Sequence, residues 1–434
     1  MNKNEWQEMP FNQAVRINPG APLKKGEIYP YVDMQTIDIN SRDVFSKELR
    51  EFKGGGSRFI VGDTLLARIT PCLENGKIAR FKAENNNIVG HGSTEFIVIR
   101  GRPSITDNTF SYYLTRSDIV RSYAISQMTG TSGRQRVPTE SLNYLIVKIP
   151  PIDIQRAIAH ILGTIDDKIE INRQMNQTLE AMAKAIFKSW FVDFDPVRAK
   201  AEGRKPYGMD EEKATLFPSE FEDSEMGEIP KGWKVGNILE TADLLSGGTP
   251  KTSVPEYWNG GIPWVSARDV SNVHGSFLLK TERTISQTGM ENSNAKLLPE
   301  RTTIITARGT VGVFCMLSQE MTMNQTNYGL KAKNGFGDYF IFFSLGAMIE
   351  HLKQQAYGTI FDTITTQTFR NTQTILPSSF IIILFEDIVK PLMISVLNNN
   401  RQSHTLTIIR DTLLPKLISG QIRVDPNKFK DRLT

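Results

Sequence analysis

Two stretches of the chain carry apolar residues at helical spacing. A seven-residue step from Ile158 picks out Ile158, Ile165, Asn172, Leu179 and Ile186, with Ile154, Ile161, Lys168, Met175 and Met182 as the companion column. The second series lies 227 residues on: Phe385, Leu392, Asn399, Leu406 and Leu413, accompanied by Ile381, Ile388, Ser395, Gln402 and Ile409. Apolar residues at this period predict two long helices, each with a seam facing another surface. The same residue type, at Asn172 and Asn399, interrupts both seams at the same step. A buried amide in a seam fixes register, because a slipped pairing leaves it without a partner. Matching registers favour pairing of the two helices over the simpler alternative, in which each packs only on its own globule. Gly163 with Thr164, and Pro391 at the corresponding step, predict a break or kink in each helix. Gly420 suits the residue after the second helix, and Pro196 is expected to stop the first.

The rest of the chain has a shorter rhythm. Apolar, β-rich runs at 59–68, 95–100 and 302–307 are punctuated by Gly and Pro, and helical patches intervene at 109–125 and 338–355. The runs repeat. Asn4-Glu5-Trp6 is echoed by Lys231-Gly232-Trp233, Tyr31-Val32 by Trp264-Val265, and Ile149-Pro150 by Leu376-Pro377. Likewise Thr64-Leu65-Leu66-Ala67-Arg68 answers Ile304-Ile305-Thr306-Ala307-Arg308. A period of this length means two copies of one globule-plus-helix module, with an expected pseudo-two-fold relation, rather than a solenoid. The fold class is α+β. Its expected parts are a globule over 1–150, a helix over 151–195, a polar linker over 196–230, a second globule over 231–378, a second helix over 379–420 and a tail over 421–434.

Composition adds mainly exclusions. No stretch reaches 18 consecutive apolar residues, which argues against a membrane span. The N-terminal MNKNEWQEMP lacks the apolar core of a secretion signal. Two cysteines, Cys72 and Cys315, supply neither a disulfide framework nor a four-thiolate metal site, so a cytoplasmic protein is expected. Residues 1–151 carry 20 Lys+Arg against 15 Asp+Glu, whereas 152–230 carry 10 against 16; basic blocks therefore flank an acidic middle. That pattern suits nucleic acid without demanding it. An enzyme requires a constellation of groups, and none is evident. Gly247-Gly248-Thr249-Pro250-Lys251-Thr252 lacks the second glycine of a phosphate loop. Five scattered histidines have no metal spacing, and Glu51-Phe52-Lys53 matches a nuclease pattern only at the level of chance.

Hydrogen-bonding side chains gather in glycine-containing loops of both globules. In the first, Thr131, Ser132, Arg134, Gln135 and Arg136 follow Gly130, while Arg68, Thr70, Lys77, Ser93 and Thr94 are further candidates. Arg can grip guanine or phosphate, and Gln can pair with adenine. The counterparts in the second globule are Arg308, Thr310, Asn324, Gln325, Asn327, Tyr357 and Thr359.

The chain resembles the DNA-specificity subunit of type I restriction-modification enzymes. The resemblance rests on Pro150-Pro151-Ile152-Asp153-Ile154-Gln155, on Asp166-Asp167-Lys168-Ile169-Glu170-Ile171-Asn172-Arg173, and on the run from Phe187 to Val197. It continues through Gly227-Glu228-Ile229-Pro230-Lys231-Gly232-Trp233 and Leu414-Pro415-Lys416-Leu417-Ile418-Ser419-Gly420. It implies two target-recognition domains joined by two long antiparallel helices in a coiled coil, each domain reading half of an asymmetric, bipartite double-stranded DNA target. It further implies that the helices dock two methyltransferase subunits, joined by restriction subunits in the full complex. S-adenosylmethionine, ATP and Mg would reside on those partners, leaving this chain non-catalytic and without a metal. About 27 helical residues, 164–190, would span about 40 Å, against about 34–36 Å for one turn of B-DNA. A duplicated enzyme and a duplicated scaffold that no longer reads DNA are the competing readings.

Overall fold

The computed structural model describes residues 6–131, 133–333, 335–355 and 363–432. The chain divides into two compact units, one of residues 1–171 with 403–434 and the other of residues 172–402. Both long helices cross this division.

In the first unit a five-stranded sheet has the order Val15–Ile17, Phe96–Gly101, Thr64–Ala67, Ile78–Phe81 and Asp43–Val44. Neighbours are antiparallel except for the last pair, which is parallel. All four residues of Thr64–Ala67 are buried, as expected of a central strand covered on both faces. Alternate residues serve the two covers. Leu66, Ile97, Ile99 and Ile78 join a core with Phe110 and Tyr113 of the helix Asn108–Arg116. Leu65, Val98, Ala79 and Phe81 point into another core with Val32 and Phe59. That second core lies under a four-stranded sheet ordered Glu48–Glu51, Ile28–Val32, Val89–Gly92 and Ser57–Ile60.

The second unit repeats the order. Its five-stranded sheet runs Ala242–Ser246, Asn327–Ala332, Thr303–Thr306, Phe314–Leu317 and Phe277–Leu278, again with only the last pair parallel. Ile305, Met316 and Leu330 pack with Phe340 and Phe343 of the helix Asp338–Gln355. Ile304, Cys315 and Leu317 face an opposite core with Val265, Met321 and Met323. Burial pushes the Cys315 thiol up to about 12, so it is a core side chain rather than a nucleophile.

The long helices are Ile152–Phe191 and Ser379–Ile418, and neither is interrupted. The break expected at Gly163–Thr164 and at Pro391 is absent. Burial of the apolar stripe on both sides of each position outweighs one missing donor or one flexible residue. Gln155 fixes the start of the first helix: its Nε2 donates to the carbonyls of Ile105 and Pro150, and its Oε1 accepts from the Asp107 amide. At the other end, Phe194 takes a left-handed conformation and Pro196 sits in the first turn of a new helix, Asp195–Ala201. Pro196 therefore starts a helix instead of only stopping one.

The stretch 196–230, expected as a surface linker, is folded. It holds the helices Asp195–Ala201 and Glu211–Thr215 and a hairpin of Phe221–Ser224 with Gly227–Pro230. Val197 and Phe217 are buried in the second unit's core, so the acidic surface conceals apolar anchors. The hairpin and the buried residues override its linker-like composition.

Glu386 of the second helix is half-buried beside this core. Its carboxylate accepts the Phe340 amide at 2.7 Å, at the start of the helix Asp338–Gln355. Burial pushes its pKa up from 4.5 to about 7; the Phe340 amide and Arg301 oppose the shift, and Asp338 adds to it. A raised acid pKa means the folded state holds the proton more tightly, so stability falls as pH rises from 4.5 through 7. Glu386→Gln is therefore expected to raise the midpoint of urea unfolding at pH 8 by an amount worth about 2–3 kcal/mol, with little effect at pH 4.5. An equal effect at both values would refute the titration.

Candidate nucleic-acid interface

The candidate residues of the first unit lie where the central strand Thr64–Ala67 leaves the sheet. Arg68 donates its amide to the Glu95 carbonyl at 2.9 Å, and its own carbonyl accepts from Val137 at 2.8 Å. The Thr70 amide reaches the Gln135 carbonyl at 3.0 Å, and Thr129 and Arg136 exchange backbone hydrogen bonds. Residues 129–131 and 133–137 thus lie alongside 68–70 and beside 93–95. Gly130 and Gly133 hold positive φ of 122° and 78°, which side chains with a Cβ rarely adopt. Thr131 and Arg134 are exposed on this loop. Ser132 lies outside the described residues.

Not every predicted side chain is available for DNA. Arg136 forms a fork on Glu95, with Nε and Nη2 at 2.9 and 2.8 Å from Oε1. Its charge is neutralised there, so it holds the loop to the residue after Thr94. Lys77 is half-buried with its Nζ on the Met34 carbonyl at 2.6 Å, and Ser93 caps the turn by accepting the Glu95 amide. Thr70 and Gln135 are half-buried, while Thr94 is exposed. Arg68 is half-buried and lines an open cleft with Asn18, Ser57, Arg58 and Thr94. Residue patterns miss Asn18, Ser57 and Arg58, although an Arg directly after Gly54-Gly55-Gly56-Ser57 is a legible signal.

The second unit builds the same place from different side chains. Arg308 follows Ala307, whose amide bonds the Thr326 carbonyl at 3.0 Å. Arg308 and Thr310 are exposed. Asn324 turns its Oδ1 onto Thr326, and Gln325 accepts the Thr249 hydroxyl. Asn327, predicted to face DNA, is only 1% exposed and points its Nδ2 at the Val265 carbonyl. It is a sheet residue, because alternation along Asn327–Ala332 directs it inward. Tyr357 and Thr359 lie outside the described residues. Gly247 and Gly248 lie so close to the backbones of Met323 and Asn294 that a Cβ would collide. The Gly247-Gly248-Thr249-Pro250 run is accordingly a packing motif. Among the described residues, no group of three or more His, Cys, Asp or Glu could hold a metal ion.

The helix seam is amide-rich. In the second unit, Asn172 donates to Gln402 Oε1 at 2.9 Å and to the Asn399 carbonyl at 3.4 Å. Asn176 donates to Asn400 Oδ1 at 2.6 Å and accepts from Asn399 Nδ2 at 2.9 Å. In the first unit Arg410 meets Asp166. Rising numbers on one helix meet falling numbers on the other, so the pairing is antiparallel. Ile158 is buried; Ile165, Leu179, Ile186, Leu392, Leu406 and Leu413 are half-buried.

The companion column is not where strict heptads put it. Met175 and Met182 are 45% and 47% exposed and Ile409 is 42% exposed, while Leu162, Asn176 and Ala183, one position further on, are buried. The first helix also covers globule side chains along its length: Leu162 packs with Phe110 in the first unit, and Phe187 with Phe340 in the second. The buried stripe is therefore wider than a two-helix seam and centred beside it. Pairing with the other helix and packing on a globule hold together.

Known proteins resemble the chain over most of its length. The family profile described as "Type I restriction modification DNA specificity domain" matches residues 4–181 and 230–381. The type I restriction enzyme HindI specificity subunit of Haemophilus influenzae is 29% identical over 445 residues, covering 91% of this chain and 95% of that protein. The MjaIX specificity subunit of Methanocaldococcus jannaschii is 26% identical, over 73% of this chain and 69% of its own. In fold, the chain is similar to the crystal structure of the type I restriction-modification S subunit from M. genitalium, with a TM-score of 0.58 at 14% identity, covering 96% and 97% of the two chains. Among the described residues no helix is long and apolar enough to cross a membrane.

Proposed function

The chain belongs to the type I restriction-modification DNA specificity family, and we propose that each of its two units reads one half of an asymmetric, bipartite DNA target. The observation that carries this reading is the recurrence of one polar loop cluster at the same sheet end in both units. Arg68 and Arg308 follow equivalent strands, and exposed loop side chains surround each. The side chains differ between the copies, as two different half-sites require. Seven-residue spacing and the antiparallel pairing support a second role for the helices, holding the half-sites at a set spacing.

The same helices would dock two methyltransferase subunits. In the second unit Met175 and Met182 stand about half exposed, and Met182 lines an open groove with Ala181 and Ala185. Exposed thioethers on a helix suit an adaptable apolar contact. Methyl transfer, with S-adenosylmethionine, and ATP-driven cleavage, with Mg, would belong to methyltransferase and restriction partners in a cytoplasmic complex.

A footprint of the reconstituted complex on the methylated target is expected to show two protected patches with a gap. Arg134→Ala should weaken recognition of one half-site by about 10- to 100-fold, the worth of one good base contact, and leave partner assembly intact. Equal loss at both halves, or protection blind to sequence, would defeat the reading.

A further inference from the structure

The first unit contains a cleft of about 420 Å³ whose chemistry differs from that of the neighbouring loop. We propose that this cleft is a backbone clamp, which seats the sugar–phosphate ridge of duplex DNA between Arg58 and Arg68 whatever the base sequence. The proposal rests on the reading that this unit binds DNA, and it divides the unit's surface into a part that grips and a part that reads.

The donor set carries the argument. Neither Arg58 nor Arg68 forms an ion pair among the described residues, in contrast to Arg136 beside them on Glu95. Arg58 is exposed, braced by the Gly54 carbonyl at 3.2 Å and stacked 4.8 Å from the Phe52 ring centre. The Nε of Arg68 and the hydroxyl of Ser57 are buried without a hydrogen-bond partner. Asn18 uses its Oδ1 for the Val98 amide at 2.9 Å, which leaves its Nδ2 to donate. Thr94 adds an exposed hydroxyl, and among the described residues no carboxylate lines the cleft. Two cations and several donors with no opposing anion make a site for an acceptor-rich anion.

Backbone geometry preforms the walls. Asn18 is held at φ 48°, with its amide on the Val98 carbonyl at 2.7 Å. Gly56, at φ 86°, lies against the Gly92 carbonyl where no Cβ fits. Shape then separates phosphate from base. Base edges are recessed in the grooves and are reached by elements that protrude. A recess accepts what protrudes from the duplex, namely the phosphate ridge. The neighbouring exposed side chains here are those of Thr131 and Arg134.

The test uses the full chain in its reconstituted complex and two duplexes, one with the target methylated in host DNA and one with it scrambled. Arg58→Ala combined with Arg68→Ala should weaken both duplexes by the same factor, on the order of tenfold. The slope of log affinity against log salt should become shallower by about 0.9 for each phosphate that is no longer neutralised. Arg58→Lys with Arg68→Lys should keep most of the affinity, because a phosphate accepts a point charge, whereas a base edge read by a bidentate guanidinium loses geometry when lysine replaces it. Weakening confined to the target duplex, or a lysine pair as weak as the alanine pair, would overturn the clamp in favour of base reading. Unchanged affinity and slope in the alanine pair would overturn it outright. A wild-type complex that binds neither duplex would instead bring down the reading on which the clamp rests.

Discussion

Replacing Arg410 with alanine is expected to cost the first unit about 3–5 kcal/mol of stability, the usual consequence of leaving a buried charge without its partner. Arg410 Nη1 donates to Asp166 Oδ1 at 2.8 Å, with the two side chains only 4% and 3% exposed. The Tyr113 hydroxyl donates to the other oxygen, Oδ2, at 2.7 Å. Burial and then the Asp166 charge push that phenol well above its ordinary pKa, so it remains a donor at any working pH. Without Arg410 the carboxylate would keep one phenolic hydrogen bond and the field of Arg116, but no ion pair. Arg410→Met with Asp166→Leu should regain most of the loss, since buried pairs are costly to desolvate and replaceable by apolar side chains of similar volume. Urea midpoints of the wild type, Arg410→Met, Asp166→Leu and the double variant form the cycle that decides it. A double variant as unstable as Arg410→Ala would show that packing, not charge, is at stake.

Phe385→Ala should cost the second unit a similar amount, about 3–5 kcal/mol. Phe385 is fully buried on the second long helix, with ring centres of Phe191, Phe187 and Phe343 at 5.3, 5.8 and 6.1 Å. Phe187 and Phe191 belong to the first long helix and Phe343 to the globule, so one ring fastens three elements. Truncation opens a cavity where these rings cannot collapse together. Phe385→Leu, which keeps much of the volume, should cost clearly less. Thermal unfolding of the two variants provides the comparison. Equal losses would mean that ring geometry matters more than filled space. Co-purification with a methyltransferase partner should fall with the alanine variant, because the helix pair would lose its fastening.

The duplication and the two long helices are legible in residue spacing. Periodicity is a one-dimensional property, written by neighbours on the same element, and it survives without knowledge of the fold. The shared Asn172 and Asn399 mark the helix contact for the same reason. Burial of Leu162, Asn176 and Ala183 in place of the exposed companion column is not legible. Each helix answers to a partner helix and a globule at once, and a heptad describes only one of those surfaces.

Charge is the other boundary. Arg68 and Arg136 look alike in the chain, yet one opens onto a cleft and the other is neutralised by Glu95, 41 residues away. Asp166 and Arg410 are separated by 244 residues and meet only because the helices run antiparallel. Asn327 reads as a surface amide until strand alternation turns it inward. Local spacing therefore settles which elements form and that they occur twice. Which polar groups remain available to a ligand depends on carboxylates and carbonyls supplied by distant segments, and only the packed chain brings those within hydrogen-bonding reach.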